Sequence, residues 1–456
     1  DLRRSRGLGD VYKRQTLYFT VNETLLSDPT VEILGKTATK DNSSAGLTYV
    51  YTYTVVSGDA QGTATFSISV TDLAGNVTSG VNAITTGNNV TVDTTPPTIT
   101  EFTTTITTGT YKIGDTITIK ATTSENIQSG DKITVTLNNN NSNNNTVTLT
   151  ASSAGAEMTG TYTVQENDES SGLTINSFTI GTVEDTAGNA MTSISLPASN
   201  LIFGTKQIVI DGIRPTTTGN TVLSCNNTYN TNYAIAGTIL SFEVEFTEPV
   251  SWGTASNATL SFNLATPAVA VAVAASNQTD TNNKVTFEYE VVSGDTGDVA
   301  LPSSPEIIML NSDDIKDAAG NTMTDLVLQS LSGSVTVDTT SPGAPVFTSP
   351  ALTNDPTPTI EGTAEANSTV TLTVPNNAVY TTTAGSDGSW SVVALSSVAP
   401  DSGTLNLNVN GDNTITATAK DLAGNVSSSA TQTLTIDTTP PTTTGNTVLT
   451  LSLIHI

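Results

Sequence analysis

Apolar and polar residues alternate in short runs along most of the chain, with a period of two residues. This is the period of a β-strand that has one buried face and one exposed face. The apolar positions of three such runs are Leu17, Phe19 and Val21; Ile117, Ile119 and Ala121; and Leu240, Phe242, Val244 and Phe246. Gly, Asn, Asp and Ser, which favour turns, separate the runs. The pattern predicts short antiparallel strands, with Asn138 to Asn145 as a loop between two of them.

Two sequence markers recur in a fixed order, which is typical of a tandem array. The first marker is Asp-x-Ala-Gly-Asn, which begins at Asp72, Asp185, Asp317 and Asp421. The second is an apolar strand that ends in Asp and usually runs into Pro, with its Asp at positions 93, 211, 338 and 437. Pro cannot extend a strand ladder, so this second marker indicates a last strand followed by a linker.

These markers predict a row of domains with boundaries at the strand-end aspartates. The predicted ranges are 16–93, 94–211, 212–338 and 339–437, followed by the start of a fifth domain at 438–450. The first domain lacks its first strand and is expected to be truncated. Residues 1–15 and 451–456 lack the Thr-rich alternation of the rest, and we expect both to be non-native tails. The predicted fold class is all-β, with a seven-stranded antiparallel sandwich in each domain and the domains in an extended array.

Composition and charge narrow the possible partners. The formal net charge is −27, from 42 acidic and 15 basic residues, so a nucleic-acid backbone or an anionic membrane would be repelled. Cations are the natural partner of such a chain. No apolar run is long enough to predict a membrane span in this fragment, and the single Cys225 rules out an internal disulfide framework.

The paired markers resemble those of the bacterial Ig-like domains that occur in tandem in large surface adhesins and biofilm proteins. The fourth repeat carries this resemblance most fully, in the segments 362–374, 385–392 and 413–427. The other repeats resemble a related subtype of the same domain, in which the strands have sequences such as VEFTEPV at 244–250. The resemblance implies an immunoglobulin-like sandwich, and it implies calcium at domain junctions, since several members of the family bind calcium there.

The recurrent carboxylates stand where a junction site for Ca²⁺ would need them. Calcium takes six to eight oxygen ligands, many of them carboxylate oxygens. The predicted ligands are the turn aspartates Asp72, Asp185, Asp317 and Asp421, the strand-end aspartates Asp93, Asp211, Asp338 and Asp437, and additionally Glu125 and Glu248. The alternative is that each turn Asp only bonds to its own backbone while Gly supplies a positive φ. That alternative explains the turn equally well but not the second recurrent Asp.

Catalysis is not predicted. Nucleophilic triads need a base, and the one histidine, His455, lies in a predicted tail. The prominent acids recur once per repeat, whereas an active site is normally unique, so no catalytic or cofactor-binding residue is assigned. Trp252 and Trp390 are candidate sugar-stacking residues, but Trp390 is expected to pack in a sandwich core.

The predicted function is therefore structural. The leading hypothesis is a stalk or adhesive repeat region of a bacterial cell-surface or secreted protein, a monomeric rod that reaches host-cell, matrix or surface ligands through the wider protein. The alternative is a set of spacer modules in a secreted polysaccharide-degrading enzyme whose catalytic domain lies elsewhere. Fold alone does not separate these two hypotheses.

Overall fold

The computed structural model describes residues 14–198, 203–253, 257–264, 271–275, 283–310, 312–393, 395, 398–443 and 445. Residues 1–13 of the predicted N-terminal tail, the C-terminal tail, and residues 444 and 446–450 of the predicted fifth-domain start lie outside the described residues. The chain divides into two compact units, Asp1–Ile213 and Arg214–Ile456. No helix among the described residues is long and apolar enough to cross a membrane.

The first predicted domain has a small core between two sheets. One sheet has the strand order β1-β5-β4 and the other β3-β2-β7-β8, with β6 and β9 as a separate pair. Leu17, Val31, Tyr51 and Ile68 are buried between them. Arg14 and Gln15, predicted to be tail residues, belong to the first strand. The strands are β1 Arg14–Thr20, β2 Thr30–Ile33, β3 Lys36–Thr37, β4 Thr39–Lys40, β5 Thr48–Thr54, β6 Gly62–Thr63, β7 Phe66–Thr71, β8 Val77–Val81 and β9 Thr91–Val92.

The second predicted domain has a larger core. Its strands are β10 Ile99–Thr104, β11 Gly109–Lys112, β12 Thr116–Ile127, β13 Lys132–Leu137, β14 Thr146–Thr150, β15 Gly155–Thr163, β16 Glu169–Ser170, β17 Ile175–Thr182 and β18 Ile208–Asp211. The larger sheet has the order β10-β12-β15-β14-β13-β17, and its two halves meet through the residue pair Thr150 and Thr159. Ile117, Ile119 and Ala121 are fully buried, as the alternation predicts, and the loop predicted at 138–145 does separate β13 from β14.

The third predicted domain repeats this plan. Its strands are β19 Thr217–Cys225, β20 Tyr233–Ala234, β21 Ile239–Phe246, β22 Ala258–Phe262, β23 Val271–Ala275, β24 Lys284–Glu290, β25 Thr296–Asp298, β26 Ile307–Met309, β27 Leu331–Ser332 and β28 Thr336–Asp338. One sheet has the order β26-β22-β23-β24-β21-β19-β27, and the other β20-β28-β25. The fully buried rings of Phe242, Phe246, Phe262 and Phe287 fill its core, and Trp252 lies at the core edge.

The fourth predicted domain packs a five-stranded sheet, β30-β36-β35-β32-β33, against a three-stranded sheet, β29-β31-β34. Its strands are β29 Val346–Phe347, β30 Leu352–Thr353, β31 Ile360–Thr363, β32 Thr369–Val374, β33 Ala378–Thr383, β34 Ser389–Val392, β35 Asn410–Lys420 and β36 Ala430–Asp437, with a 3₁₀ turn at Pro375–Asn377. Trp390 packs edge-on against Phe347 and covers Gly362, where an added Cβ would lie 2.5 Å from its ring. The prediction that Trp390 belongs to the core is confirmed.

The all-β, immunoglobulin-like fold predicted from the sequence is confirmed, but two details of the prediction are wrong. The described residues of each predicted domain form eight to ten strands rather than seven, and some strand pairs are parallel, among them β19 and β27. Short parallel pairs join β11 to β18, β20 to β28 and β30 to β36. In each of these domains the first strand breaks, and its second segment crosses to the other sheet. There it runs beside the last strand in the same direction, so a purely antiparallel ladder is impossible at that edge.

Candidate cation sites at the domain junctions

Each Asp-x-Ala-Gly-Asn segment folds into the same tight turn. In the second domain, Asp185 Oδ1 accepts hydrogen bonds from the backbone N–H groups of Ala187 (2.7 Å) and Asn189 (2.8 Å), and Asp185 Oδ2 accepts one from Asn189 Nδ2 (2.7 Å). The Gly of the turn has a φ of +90°, which a side-chain-bearing residue rarely adopts. The turn-forming role that the sequence suggested for the aspartate is therefore confirmed.

The aspartates of the other three turns bond in the same way. Asn76 Nδ2 donates to Asp72 (2.7 Å), Asn321 Nδ2 to Asp317 (2.8 Å), and Asn425 Nδ2 to Asp421 (2.9 Å). The four aspartates differ in burial. Asp185, Asp317 and Asp421 are at most 4% exposed, whereas Asp72 is half-buried. Turn formation accounts for the hydrogen bonds of these carboxylates but not for the burial of three of them.

At the first junction, carboxylates from two consecutive domains come together. Asp93 follows β9 of the first domain, Glu125 lies near the end of β12, and Asp185 follows β17. Each offers a carboxylate oxygen, and these oxygens lie within 4.8 Å of one another. The two domains also touch directly, because Asn189 Nδ2 donates a 3.0 Å hydrogen bond to the backbone oxygen of Asp93. The turn of one domain is thus paired with the strand end of the domain before it.

The electrostatics of this cluster are unfavourable without a cation. Burial raises the pKa of Glu125, and the neighbouring carboxylates Asp93 and Asp185 raise it further. Like charges at this separation disfavour one another's ionised forms. The donor set is made of hard oxygen atoms with net negative charge, which fits Ca²⁺ better than a softer metal.

The junction between the third and fourth domains has the same composition, with one residue that the sequence did not single out. Asn425 Nδ2 donates a 2.8 Å hydrogen bond to the backbone oxygen of Asp338. Burial raises the pKa of Glu365, and so do the nearby carboxylates of Asp421 and Asp338. Glu365 was not predicted from the sequence because it stands in the segment Gly-Thr-Ala-Glu, which differs from the segments that contain Glu125 and Glu248. The feature that could have identified Glu365 is its position just after a core strand near the start of its domain.

The remaining predicted ligands divide into two groups. Glu248 and Asp317 offer carboxylate oxygens within 4.8 Å of each other in the second unit, whereas Asp211 ends β18 in the first unit, where its Oδ1 accepts a bond from Ile213 N (3.1 Å). Among the described residues, the metal-sized clusters of acidic side chains include none of Asp72, Asp338, Asp421 and Asp437. Asp437 is exposed at the end of β36.

A second recurring arrangement, a tyrosine bonded to an aspartate further along the chain, was also missed. The hydroxyl groups of Tyr53, Tyr162 and Tyr289 donate to Asp59 (3.0 Å), Asp168 (2.5 Å) and Asp295 (2.8 Å). Each aspartate also accepts a backbone N–H from the turn between the two residues. Burial, together with the hydrogen bond to Asp295, raises the pKa of Tyr289 to about 12. The sequence signal was a Tyr followed by an Asp at the same spacing in three repeats.

In the second and third domains, the Tyr–Asp corner also holds the linker that leaves the domain. Gly212 N donates to the backbone oxygen of Asp168 (2.6 Å), and Thr339 Oγ1 donates to that of Asp295 (2.8 Å). A Cβ at Gly212 would lie 2.2 Å from the backbone oxygen of Gln165, so no larger residue fits there. These two corners therefore fix where the linkers after the second and third domains start.

Comparison with known proteins identifies one of the domains. Residues 347–438 match the family of bacterial Ig-like domains, which confirms the resemblance seen in the fourth repeat. No curated protein matches the chain.

Three solved structures are similar at a low level. They are a Ca²⁺-stabilised adhesin that helps an Antarctic bacterium bind ice (20% identity, 94% of each chain, TM-score 0.33), fibronectin(III)-like modules of Clostridium thermocellum CbhA (13%, 47% of this chain and 94% of that one, TM-score 0.24), and a marsupial T cell receptor (12%, 74% and 99%, TM-score 0.20). Likenesses this low establish neither the fold nor the function of this chain.

Proposed function

We propose that this chain is a stalk or adhesive repeat region of a bacterial cell-surface or secreted protein, and that Ca²⁺ bound at the domain junctions stiffens it. The observation that carries the proposal is the meeting of Asp93, from one domain, with Glu125 and Asp185, from the next. An ion held by carboxylates of two domains links those domains directly. The role is structural, and we expect no hydrolysis of polysaccharides or esters by the purified chain.

The proposed ligands are Asp93, Glu125 and Asp185 at the first junction. At the junction between the third and fourth domains they are Asp338, Glu365 and Asp421. Protein carboxylates would supply part of the calcium shell, with water and backbone oxygens available for the rest. Glu248 and Asp317, whose carboxylate oxygens lie within 4.8 Å of each other, are proposed as further ligands, and Asp211 and Asp437 remain proposed ligands from their sequence positions. Asp72, which no other described acidic residue joins in a metal-sized cluster, is not proposed as a ligand.

Calcium should raise the thermal stability of the chain. An ion that binds the folded array and not the unfolded chain adds about 2.7 kcal/mol per site at a hundredfold excess over its dissociation constant. Melting of the whole chain, followed by calorimetry in calcium and in chelator, measures this effect. Small-angle scattering should also give a larger maximum dimension with calcium, because the junctions bend less.

A matched pair of variants separates a cation role from a turn role. Asp185→Asn and Asp72→Asn disturb the same turn hydrogen bonds, but only Asp185 lies in a described carboxylate cluster. We expect Asp185→Asn to reduce the calcium-induced rise in melting temperature and Asp72→Asn to leave it unchanged. Equal responses of the two variants, or melting that chelation does not alter, would show that these aspartates are turn formers only.

A further inference from the structure

A loop of the third domain lies directly against the Asp-x-Ala-Gly-Asn turn of the fourth. Asn227 Nδ2 donates a 2.8 Å hydrogen bond to the backbone oxygen of Ala423, and Asn230 Nδ2 donates a 3.1 Å bond to that of Leu422. Residues 226–230, here called the clamp loop, thus bond two successive carbonyl groups of the neighbouring domain. Ala423 is only 1% exposed, whereas the equivalent Ala74 of the first domain is exposed.

The clamp loop is held in shape by its own domain before it meets the turn. Asn227 is 5% exposed, and its Oδ1 accepts the backbone N–H of Tyr229 at 3.0 Å, which closes an Asx-turn. Asn227 Nδ2 also donates to the backbone oxygen of Tyr233 at 2.8 Å. A preformed donor loses little conformational entropy when it binds, so these bonds should contribute to holding the domains together.

Tyr229 of the clamp loop packs against the turn of the fourth domain, at a position where that turn has a glycine. Lys420 Nζ lies 4.8 Å from the centre of the Tyr229 ring, within the range of a cation–π interaction. Gly424 has a φ of +106°, and a Cβ there would lie 3.1 Å from the ring. Gly424 is therefore needed both for the conformation of its own turn and for the close packing of Tyr229 against that turn.

We propose that the clamp loop fixes the fourth domain to the third without a metal ion. The inference deepens the proposed stalk function, on which it rests, by assigning part of the junction stiffness to amide and aromatic contacts. Its partner is the Leu-Ala-Gly segment of the next domain's turn, recognised through backbone carbonyl groups. None of the groups that make these contacts is a carboxylate, so removal of calcium leaves them in place.

The chain contains its own reference for a test. Residues 72–77 and 421–426 have the same sequence, Asp-Leu-Ala-Gly-Asn-Val, and therefore nearly the same intrinsic rates of amide exchange. Among the described residues, the second copy forms hydrogen bonds with another domain and the first copy does not. Hydrogen exchange of the whole chain in chelator should show slower exchange in segment 422–426 than in segment 73–77.

The decisive variant combines Asn230→Ala with Lys420→Ala, which removes two clamp contacts and no core side chain. We expect exchange of segment 422–426 in chelator to become about tenfold faster, which corresponds to about 1.4 kcal/mol. Exchange in β21 should stay unchanged, showing that the third domain is folded. Asn232→Ala, an exposed side chain two residues further along the same loop, is the control and should change nothing.

Unchanged exchange in the double variant would overturn the inference, because the strand end at Asp338 would then account for the protection. An equal effect of Asn232→Ala would overturn it as well, since any change in the loop would suffice. Neither result bears on calcium, which is tested separately at Asp185. Loss of the calcium response with an intact clamp effect would reject the calcium proposal alone.

Discussion

At the scale of single residues, one buried polar network of the second domain centres on Asp168. This aspartate is fully buried, and its carboxylate accepts bonds from Tyr162, from the amides of Asn141 and Asn144, and from Gln165 N. Burial and the bond to Asp168 raise the pKa of Tyr162, so the hydroxyl stays protonated and donates throughout the neutral range. The Asn-rich stretch that the sequence predicts as a loop is therefore an ordered part of this network.

Removing the Tyr162 hydroxyl should destabilise the second domain. Tyr162→Phe takes one donor from a buried carboxylate, a change that costs about 1–3 kcal/mol when a buried group is left under-satisfied. Urea unfolding of the whole chain measures the loss, and Tyr18→Phe, at a 49% exposed side chain, is the control. If both variants unfold at the wild-type midpoint, the Tyr–Asp corner contributes nothing to stability.

At the scale of elements, the sequence predicted the strands, the turns and a junction shared by turn and strand-end aspartates, but not the other residues that meet each turn. Alternation placed Ile117 and Phe242 on buried faces, and the position of Gly in the turn predicted its positive φ, because both are local properties. Which further residues meet a turn at a junction depends on how two domains dock. No short-range pattern encodes that, which is why Glu365 and the clamp loop were missed.

The charge of Glu125 should destabilise its junction when calcium is absent. Its raised pKa means that the fold favours the protonated form. Its contribution to stability is therefore present at acid pH and is lost as the pH rises through the raised value. At neutral pH the ionised Glu125 opposes the packing of Asp93 and Asp185.

Glu125→Gln should consequently raise the melting temperature in chelator and reduce the further rise on adding calcium. Glu157→Gln, at an exposed strand position where the carboxylate forms a surface ion pair with Lys120, is the control and should do neither. Melting curves of both variants at neutral pH, with and without calcium, measure the two effects. A lower melting temperature for Glu125→Gln in chelator would mean that this carboxylate forms a stabilising bond instead.

At the scale of the whole molecule, the buried apolar side chains of the described residues form four separate clusters, one inside each predicted domain range. A separate core is what allows a domain to fold on its own. Calcium and the clamp loop would then act between bodies that are each already stable. The predicted boundaries themselves remain a prediction that unfolding of single domains can test.

The fragment 340–437 should unfold cooperatively when it is isolated. Its core includes Trp390, which is 3% exposed and packs against Phe347, so fluorescence of this tryptophan reports unfolding directly. In the whole chain the same signal is obtained from the variant Trp252→Phe. We expect one sharp transition in both, with a lower midpoint in the fragment because Asp338 and the clamp loop are absent from it. A gradual change in fluorescence across the denaturant range would mean that the fourth domain needs its neighbour in order to fold, and that the boundary predicted at Asp338 is wrong.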